Sequence, residues 1–341
     1  MEQSARFLDG ITIPGILKCE LCPRLCTIPD GNFGACKARG NKNGKGILPF
    51  YGCVTSLAAD PIEKKPLFHF RPGSKILSAG FAGCNLRCPF CQNWHISQSV
   101  DAPYKKMLPE DLISAALHTA SRAIAYTYSE PLVHIEYLLD CMALARKHGI
   151  ANVLVTNGCI NSDAAGSILS LTDAANIDLK CFSPDNYTQI LGGNLDTVLA
   201  FIRLAVTLSV HVEITTLVVP DFNDSDEELD SCAGFLMSLN EEPGAPKIPW
   251  HLSAYRPDYR WNAPPTGPEL LLNLKKRAAA QLPYVYTGNI PGEENNTVCP
   301  ECGEIIVRRR GYHTDIWLSL PKAGERLYHC DKCGGMTPIV C

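Results

Sequence analysis

Between residues 75 and 289, short β-branched runs alternate with stretches of helical periodicity, and no other feature of the chain limits its fold as strongly. The strand candidates are KILSAGFA (75–82), AIAYTYSE (123–130), ANVLVTNG (151–158), AANIDLK (174–180), HVEITTLVV (211–219), PWHLSAY (249–255) and YVYTGN (284–289). Helical patterns cover 109–121, 131–149, 225–239 and 268–281, the second closing on the stop signal Lys147-His148-Gly149. Repeated βα units require a parallel sheet with helices outside it, either doubly wound or curled into a full or partial barrel. In either form the ligand site gathers at the carboxyl ends of the strands, where this sequence reads YSEP, TNG, DLK and WHLS.

A chain of 341 residues, 46% hydrophobic and 19% charged, has the composition of a globular protein with one large α/β domain and small appendages. Its net charge of -4, with both signs interleaved, offers no basic field, so no nucleic-acid partner is expected. The amino terminus lacks a basic segment followed by an apolar one, and no run of about 18 apolar residues occurs. Neither secretion nor a membrane span is indicated, and a cytoplasmic setting is expected. In that setting the 17 cysteines are read as metal ligands before disulfides. Eleven fall into three clusters, and Cys53, Cys141, Cys159, Cys181, Cys232 and Cys341 are read as buried or incidental thiols.

The middle cluster, AGCNLRCPFCQNW (82–94), sets Cys84, Cys88 and Cys91 in the loop that leaves the first strand, spaced C-x3-C-x2-C. A closed zinc site or an ordinary four-iron cluster takes four protein ligands. Three thiolates on a [4Fe-4S] cluster leave one iron free for a ligand that is not protein; the competing reading is a structural zinc completed by a residue such as His95. The N-terminal cluster, Cys19, Cys22, Cys26 and Cys36, lies among Gly, Pro and Asn and needs a staple to hold it. Zinc and an auxiliary [4Fe-4S] cluster both suit it, as does no metal at all, and spacing does not separate them. At the C-terminal end, CPECG (Cys299, Cys302) and CDKCGG (Cys330, Cys333) stand 27 residues apart and read as a zinc ribbon holding zinc or rubredoxin-like iron.

C-x3-C-x2-C with an aromatic, Phe90, directly before the third cysteine resembles the motif of the radical SAM superfamily. The resemblance extends through CELCPRLC, DPIEKKPLFHF, GCNLRCPFCQNWHISQ, YVYTGNIPG and NTVCPECG, which are similar to the radical SAM component of the AmmeMemoRadiSam system, a group similar to pyruvate formate-lyase activating enzyme. That resemblance implies a partial, six-stranded (β/α)6 barrel. It implies S-adenosylmethionine bound to the open iron, and a one-electron cleavage that yields a 5'-deoxyadenosyl radical. It also implies that Ser129 and Glu130 stand where relatives carry a Gly-Gly-Glu motif that binds the methionine amino group. Asp178, Lys180 and His251 match positions that contact the rest of the cofactor, and Phe90 sits near the adenine. The activating enzyme carries an arginine five residues before a proline on its fifth strand; here Thr215 holds that spacing before Pro220, so the carboxylate contact or substrate polarity differs.

The bland alternatives are specific too. Polar residues at strand ends often only satisfy backbone groups, and for Thr156, Asn157 and Gly158 a strand-ending turn is the default. Glu63, Lys64 and Lys65, ahead of the first strand, read as a solvated loop, or else as a cover for the site or a docking segment. The expected organisation is an N-terminal Cys-rich segment (1–72), a barrel (73–292) and a zinc-ribbon-like unit (293–341). The expected activity is hydrogen-atom abstraction with electrons from a donor such as flavodoxin or ferredoxin. A protein substrate, in the manner of glycyl-radical activation, comes first; a small molecule handled with Memo and AMMECR-type companions comes second. A non-catalytic iron-sulfur or zinc protein is disfavoured, because an electron-transfer cluster needs no open iron.

Overall fold

The computed structural model describes residues 5–10, 13–241, 247–322 and 324–341. Seven parallel strands run through its centre: β1 (Lys75–Gly80), β2 (Ala123–Thr127), β3 (Ala151–Thr156), β4 (Ala174–Asp178), β5 (His211–Val218), β6 (Trp250–Ala254) and β7 (Val285–Gly288). Their order in space is their order in sequence, and every neighbouring pair is parallel. An additional strand, Ser56–Pro61, pairs antiparallel with β1 and forms the outer edge. A doubly wound sheet reverses its strand order at a switch point. This one does not, and among the described residues β7 does not pair with the outer edge, so the sheet is an open, partial barrel. YVYTGN belongs to it, which makes seven parallel strands where the resemblance implies six.

Helices α1 (Pro109–His118), α2 (Ile135–Lys147), α3 (Ser162–Leu169), α4 (Leu195–Thr207), α5 (Asp226–Asn240) and α6 (Pro268–Ala279) provide the crossovers. α3 and α4 add two to the four expected. Local chemistry fixes their starts: the Asn194 side chain accepts the Thr197 N–H, and the Ser225 side chain accepts the Glu228 N–H ahead of three acidic residues in the first turn of α5.

The barrel interior is divided by side-chain size. At the amino ends of β1 to β4, Ile76, Ala123, Ala125, Ala151, Val153 and Ala174 leave space that Ile62, Leu67, Phe70 and Val340 fill. The floor is therefore made by a segment preceding β1 and by a strand that follows the barrel. Under β5 and β6 the filling is polar. Glu213 Oε1 accepts the His69 N–H (2.7 Å) and His211 Nε2 (3.0 Å), while Oε2 accepts the Phe68 N–H (3.0 Å) and His251 Nε2 (2.7 Å). Burial opposes the charge of Glu213, but these donors outweigh it and hold the carboxyl well below its ordinary range.

This corrects the solvated-loop expectation for Glu63 and Lys65, whereas Lys64 is exposed. Glu63 and Lys65 are each 4% exposed. Lys65 pairs with Asp60 at 3.0 Å, and Glu63 accepts the Gly73 N–H at 2.6 Å and the Thr314 hydroxyl at 3.1 Å. Charges in the floor need partners, and this segment finds them on both sides of the chain.

The residues after β7 form two three-stranded sheets, Thr297–Val298 with Ile305–Arg310 and His313–Ile316, and Leu318–Ser319 with Leu327–Cys330 and Met336–Val340. They are fused to the floor. The Val340 N–H donates to the His69 carbonyl at 2.7 Å, and the Arg71 N–H to the Val340 carbonyl at 2.9 Å. Buried Arg309 reaches Thr297 Oγ1 (2.8 Å) and the Asn295 carbonyl (3.0 Å), with its guanidinium 4.3 Å from the centre of the Phe68 ring. At the other end, Leu8–Gly10, Ile16–Cys19 and Thr27–Pro29 make a small sheet, and buried Arg39 ties this region to Glu136 of α2 at 2.7 Å.

Candidate functional site

A cavity of about 300 Å³ opens at the carboxyl ends of the strands, and Cys84, Cys88 and Cys91 all line it. The loop after β1 aims them there. Gly83 turns it with φ of +91°, and a Cβ at that position would stand 2.4 Å from the Cys36 carbonyl oxygen, so only glycine fits. The Leu86 N–H donates to Cys84 Sγ at 3.3 Å, and Cys91 Sγ lies 3.2 Å from Ser97 Oγ. Burial pushes the Cys84 thiol well above its ordinary range and Cys88 up to about 12, the latter against the opposing charge of Lys180. Thiols this buried keep their protons unless a metal cation takes their place, so the donor set suits a metal centre.

The strand ends supply the rest of the wall. Ser129 Oγ donates to the Phe81 carbonyl at 2.7 Å. Glu130 Oε1 accepts the Leu132 N–H (3.0 Å) and the Thr156 hydroxyl (2.6 Å), and Oε2 accepts the Asn157 N–H (2.8 Å). A carboxylate offers about four lone-pair sites. Glu213 accepts four hydrogen bonds from protein, whereas Glu130 accepts three and lines the cavity. Burial raises the Glu130 carboxyl to about 7 against those three hydrogen bonds. At the end of β4, Asp178 and Lys180 form a 3.0 Å ion pair on the cavity wall. Burial works against the Lys180 charge, but Asp178 outweighs it and the ammonium holds its proton more tightly than usual.

Phe90 also lines the cavity, packed against Phe222 and Trp261 with ring centres 5.0 Å and 6.1 Å away. The loop after β6 is pinned over it by the Arg260 N–H, which donates to the Pro89 carbonyl at 2.8 Å. His251 is brought elsewhere: it lies beneath the cavity on Glu213, and Ser253, two residues on, lines the wall from β6.

Several contributors lie outside the sequence-based set. Asn157 is more than a turn residue. Its Nδ2 donates to Asn85 Oδ1 at 3.0 Å and lies 3.8 Å from Cys84 Sγ, so it clamps the cysteine loop to β3. Tyr128 lines the cavity with a left-handed backbone, φ of +71°. That conformation costs a tyrosine about 1–3 kcal/mol. The phenol offsets it by donating to Asp60 Oδ2 at 3.1 Å and by lying under Lys65, 4.5 Å from the ring centre. For Asn157 the TNG run was a signal; for Tyr128 nothing local announced the strain.

The outer cysteine sets differ in geometry. A single tetrahedral ion with bonds of about 2.3 Å holds its sulfurs about 3.8 Å apart. Cys299 and Cys333 Sγ are 3.7 Å apart, and Cys302 and Cys330 Sγ 3.8 Å, so this group fits one metal ion. Among the described residues no other group of three or more metal-binding side chains gathers within 4.8 Å. Cys19 and Cys22 are buried, and Cys26 and Cys36 half-buried, against the cysteine loop of the cavity.

Residues 80–232 match the family model of the Radical SAM superfamily. The chain is 39% identical over 329 residues to an uncharacterized protein of Methanocaldococcus jannaschii, covering 95% of this chain and 96% of that one. It is 25% identical over 180 residues to the pyruvate formate-lyase-activating enzyme of Clostridium pasteurianum, covering 50% of this chain and 73% of that one. A solved radical SAM methyltransferase from Sphaerobacter thermophilus shares the fold with a TM-score of 0.52 at 14% identity, over 65% of this chain and 68% of that one. The chain belongs to the radical SAM superfamily and is similar to the pyruvate formate-lyase activating enzymes. Membership implies a [4Fe-4S] cluster and S-adenosylmethionine, and the three thiols at the cavity, Cys88 buried and Cys84 and Cys91 half-buried, fit that cluster. No helix among the described residues is long and apolar enough to cross a membrane.

Proposed function

We propose that this chain cleaves S-adenosylmethionine reductively and abstracts a hydrogen atom from a segment of a protein substrate. The observation that supports the substrate class is room. The cavity, about 300 Å³, lies at the lower limit of small-molecule pockets, roughly 300–1,000 Å³. The cluster and the nucleoside both belong there, and little is left for a second small molecule. In the segment read as a candidate cover for the mouth, Ile62, Leu67 and Phe70 pack in the floor instead, and Pro66 is its one residue on the cavity wall.

When bound, the reduced cluster supplies one electron to the sulfonium and so produces the 5'-deoxyadenosyl radical. The chain's own residues position the cofactor. Cys84, Cys88 and Cys91 hold three irons and leave one for the methionine end. Glu130 accepts an N–H of its amino group, with Ser129 holding the strand end against Phe81. Asp178 and Lys180 meet the polar groups of the nucleoside, and Phe90 forms the wall beside the adenine. His251 acts from below, through Glu213, by keeping the floor under β5 and β6 rigid. A flavodoxin or ferredoxin delivers electrons; Memo and AMMECR-type companions belong to the alternative, small-molecule reading. Cys299, Cys302, Cys330 and Cys333 hold one zinc, or one iron, as a ribbon.

Reduced protein incubated with S-adenosylmethionine and a candidate protein substrate, deuterated throughout, tests the reading. Deuterium in 5'-deoxyadenosine is expected when the substrate protein is present. Its absence with proteins and appearance with a small-molecule fraction would replace the protein substrate by a metabolite, and no 5'-deoxyadenosine at all would refute the activity. Glu130→Gln is expected to weaken cofactor binding by about 1.5–3 kcal/mol, the value of a hydrogen bond to a charged group, with the iron content intact. Unchanged affinity in equilibrium dialysis would remove Glu130 from the binding set.

A further inference from the structure

We propose that Cys19, Cys22, Cys26 and Cys36 hold a second [4Fe-4S] cluster through which electrons enter the site, a proposal that rests on the radical SAM reading of Cys84, Cys88 and Cys91. Four observations support it. First, the set is complete: four thiols in one short region satisfy a closed cluster, whereas the three at the cavity leave an iron open.

Second, one sulfur in the set is arranged as a ligand. Backbone N–H groups that donate to cysteine sulfur include Leu86 to Cys84 (3.3 Å), Gly335 to Cys333 (3.4 Å) and Ala35 to Cys26 (3.4 Å). Each falls in a different cysteine cluster. Such donors stabilise metal-bound thiolate and tune its potential, and the N-terminal set shares them with the two other centres.

Third, spacing favours a cluster over a lone ion. The C-terminal four converge within 4.8 Å, as one tetrahedral ion requires, and the N-terminal four do not. In this they match Cys84, Cys88 and Cys91, as expected when each thiolate binds a different iron at the corner of a cube. Zinc would call for the tighter grouping.

Fourth, the set touches the site on one side and solvent on the other. The Cys36 carbonyl packs against Gly83, the residue before Cys84. Arg24, between Cys22 and Cys26, donates to the Asn85 carbonyl at 3.0 Å and to the Gly192 carbonyl at 3.1 Å. On the outer side Leu25 and Phe33 are 45% and 48% exposed, and Cys26 and Cys36 are half-buried. A donor protein therefore reaches the N-terminal centre without entering the cavity. One electron from a reduced flavodoxin or ferredoxin takes the second cluster from 2+ to 1+; transfer to the site cluster returns it to 2+. No bond or proton changes hands.

The test is a metal count on anaerobically reconstituted protein, followed by electron paramagnetic resonance. The intact chain is expected to carry about eight irons with matching sulfide, and the variant with Cys84, Cys88 and Cys91 all changed to Ala about four. That variant leaves the N-terminal set whole, so its iron does not depend on whether Cys22→Ala folds. Cys22→Ala is expected to lose flavodoxin-driven 5'-deoxyadenosine formation while keeping the reaction driven by a small chemical reductant. Zinc in place of the second four irons, or an iron-free triple variant, overturns the cluster. Undiminished flavodoxin-driven turnover in Cys22→Ala overturns the relay. Failure of the intact chain to cleave S-adenosylmethionine with a chemical reductant would instead refute the site reading and leave the iron count to stand alone.

Discussion

Cys88→Ala is expected to abolish S-adenosylmethionine cleavage outright while leaving the barrel folded. Cys88 is 7% exposed, and its thiol is driven up to about 12 by burial, so the free side chain is a neutral, apolar group that alanine replaces with modest loss of packing. Its value lies in the third bond to iron. With two thiolates left, the cluster has too few anchors, and no other cysteine lines the cavity. The check is the visible absorption of the reconstituted protein together with 5'-deoxyadenosine yield, and both should disappear with the thermal unfolding midpoint nearly unchanged. Cys84→Ala and Cys91→Ala should behave alike. Cleavage retained in all three would mean that the metal is held elsewhere.

Stripping the metal from Cys299, Cys302, Cys330 and Cys333 is expected to destabilise the barrel as well as the ribbon. The sequence suggests a separable appendage, but Val340 packs beside Phe70 inside the floor and hydrogen-bonds His69 and Arg71, while Arg309 caps Phe68. Structural zinc contributes about 10–16 kcal/mol to the folding of small four-ligand units. That is comparable with the whole stability of a domain, about 5–15 kcal/mol. Chelation, or Cys299→Ser with Cys330→Ser, should therefore lower the unfolding midpoint of the entire chain and speed amide hydrogen exchange at Phe68 to Arg71. Full protection of those amides in metal-free protein would show that the ribbon is independent after all.

Much of this was legible because the signals are local. Five of the seven strands begin where their β-branched runs begin and the other two one residue later, and each stops one to three residues short of its run's end, as where Tyr128 to Glu130 leave β2 and Leu179 to Lys180 leave β4. Three cysteines within one loop suggested an incomplete ligand set, and the motifs around them gave that reading its strength. The floor was hidden, because its contacts join distant segments. Glu213 sits in an apolar strand, a hint that it needs partners, yet two of its donors, the Phe68 and His69 amides, lie 145 and 144 residues away. The charges of Glu63 and Lys65 looked like a solvated face for the same reason. No periodicity reports that a distant strand will bury them. His251 was expected at a strand end, but it is the second residue of β6, low on the strand, where its ring meets the buried Glu213 carboxylate.

The floor strand Met336–Val340 also sets a schedule. Synthesis runs from the amino end, so the ribosome delivers this strand only after β7 and all six barrel helices have emerged. Until then the patch of the floor that Val340 covers, beside Phe70, is left open. Loop-closure entropy is paid across most of the chain before the final contacts reward it. Closure of the barrel floor therefore waits for translation of this strand, long after the residues it covers have been made.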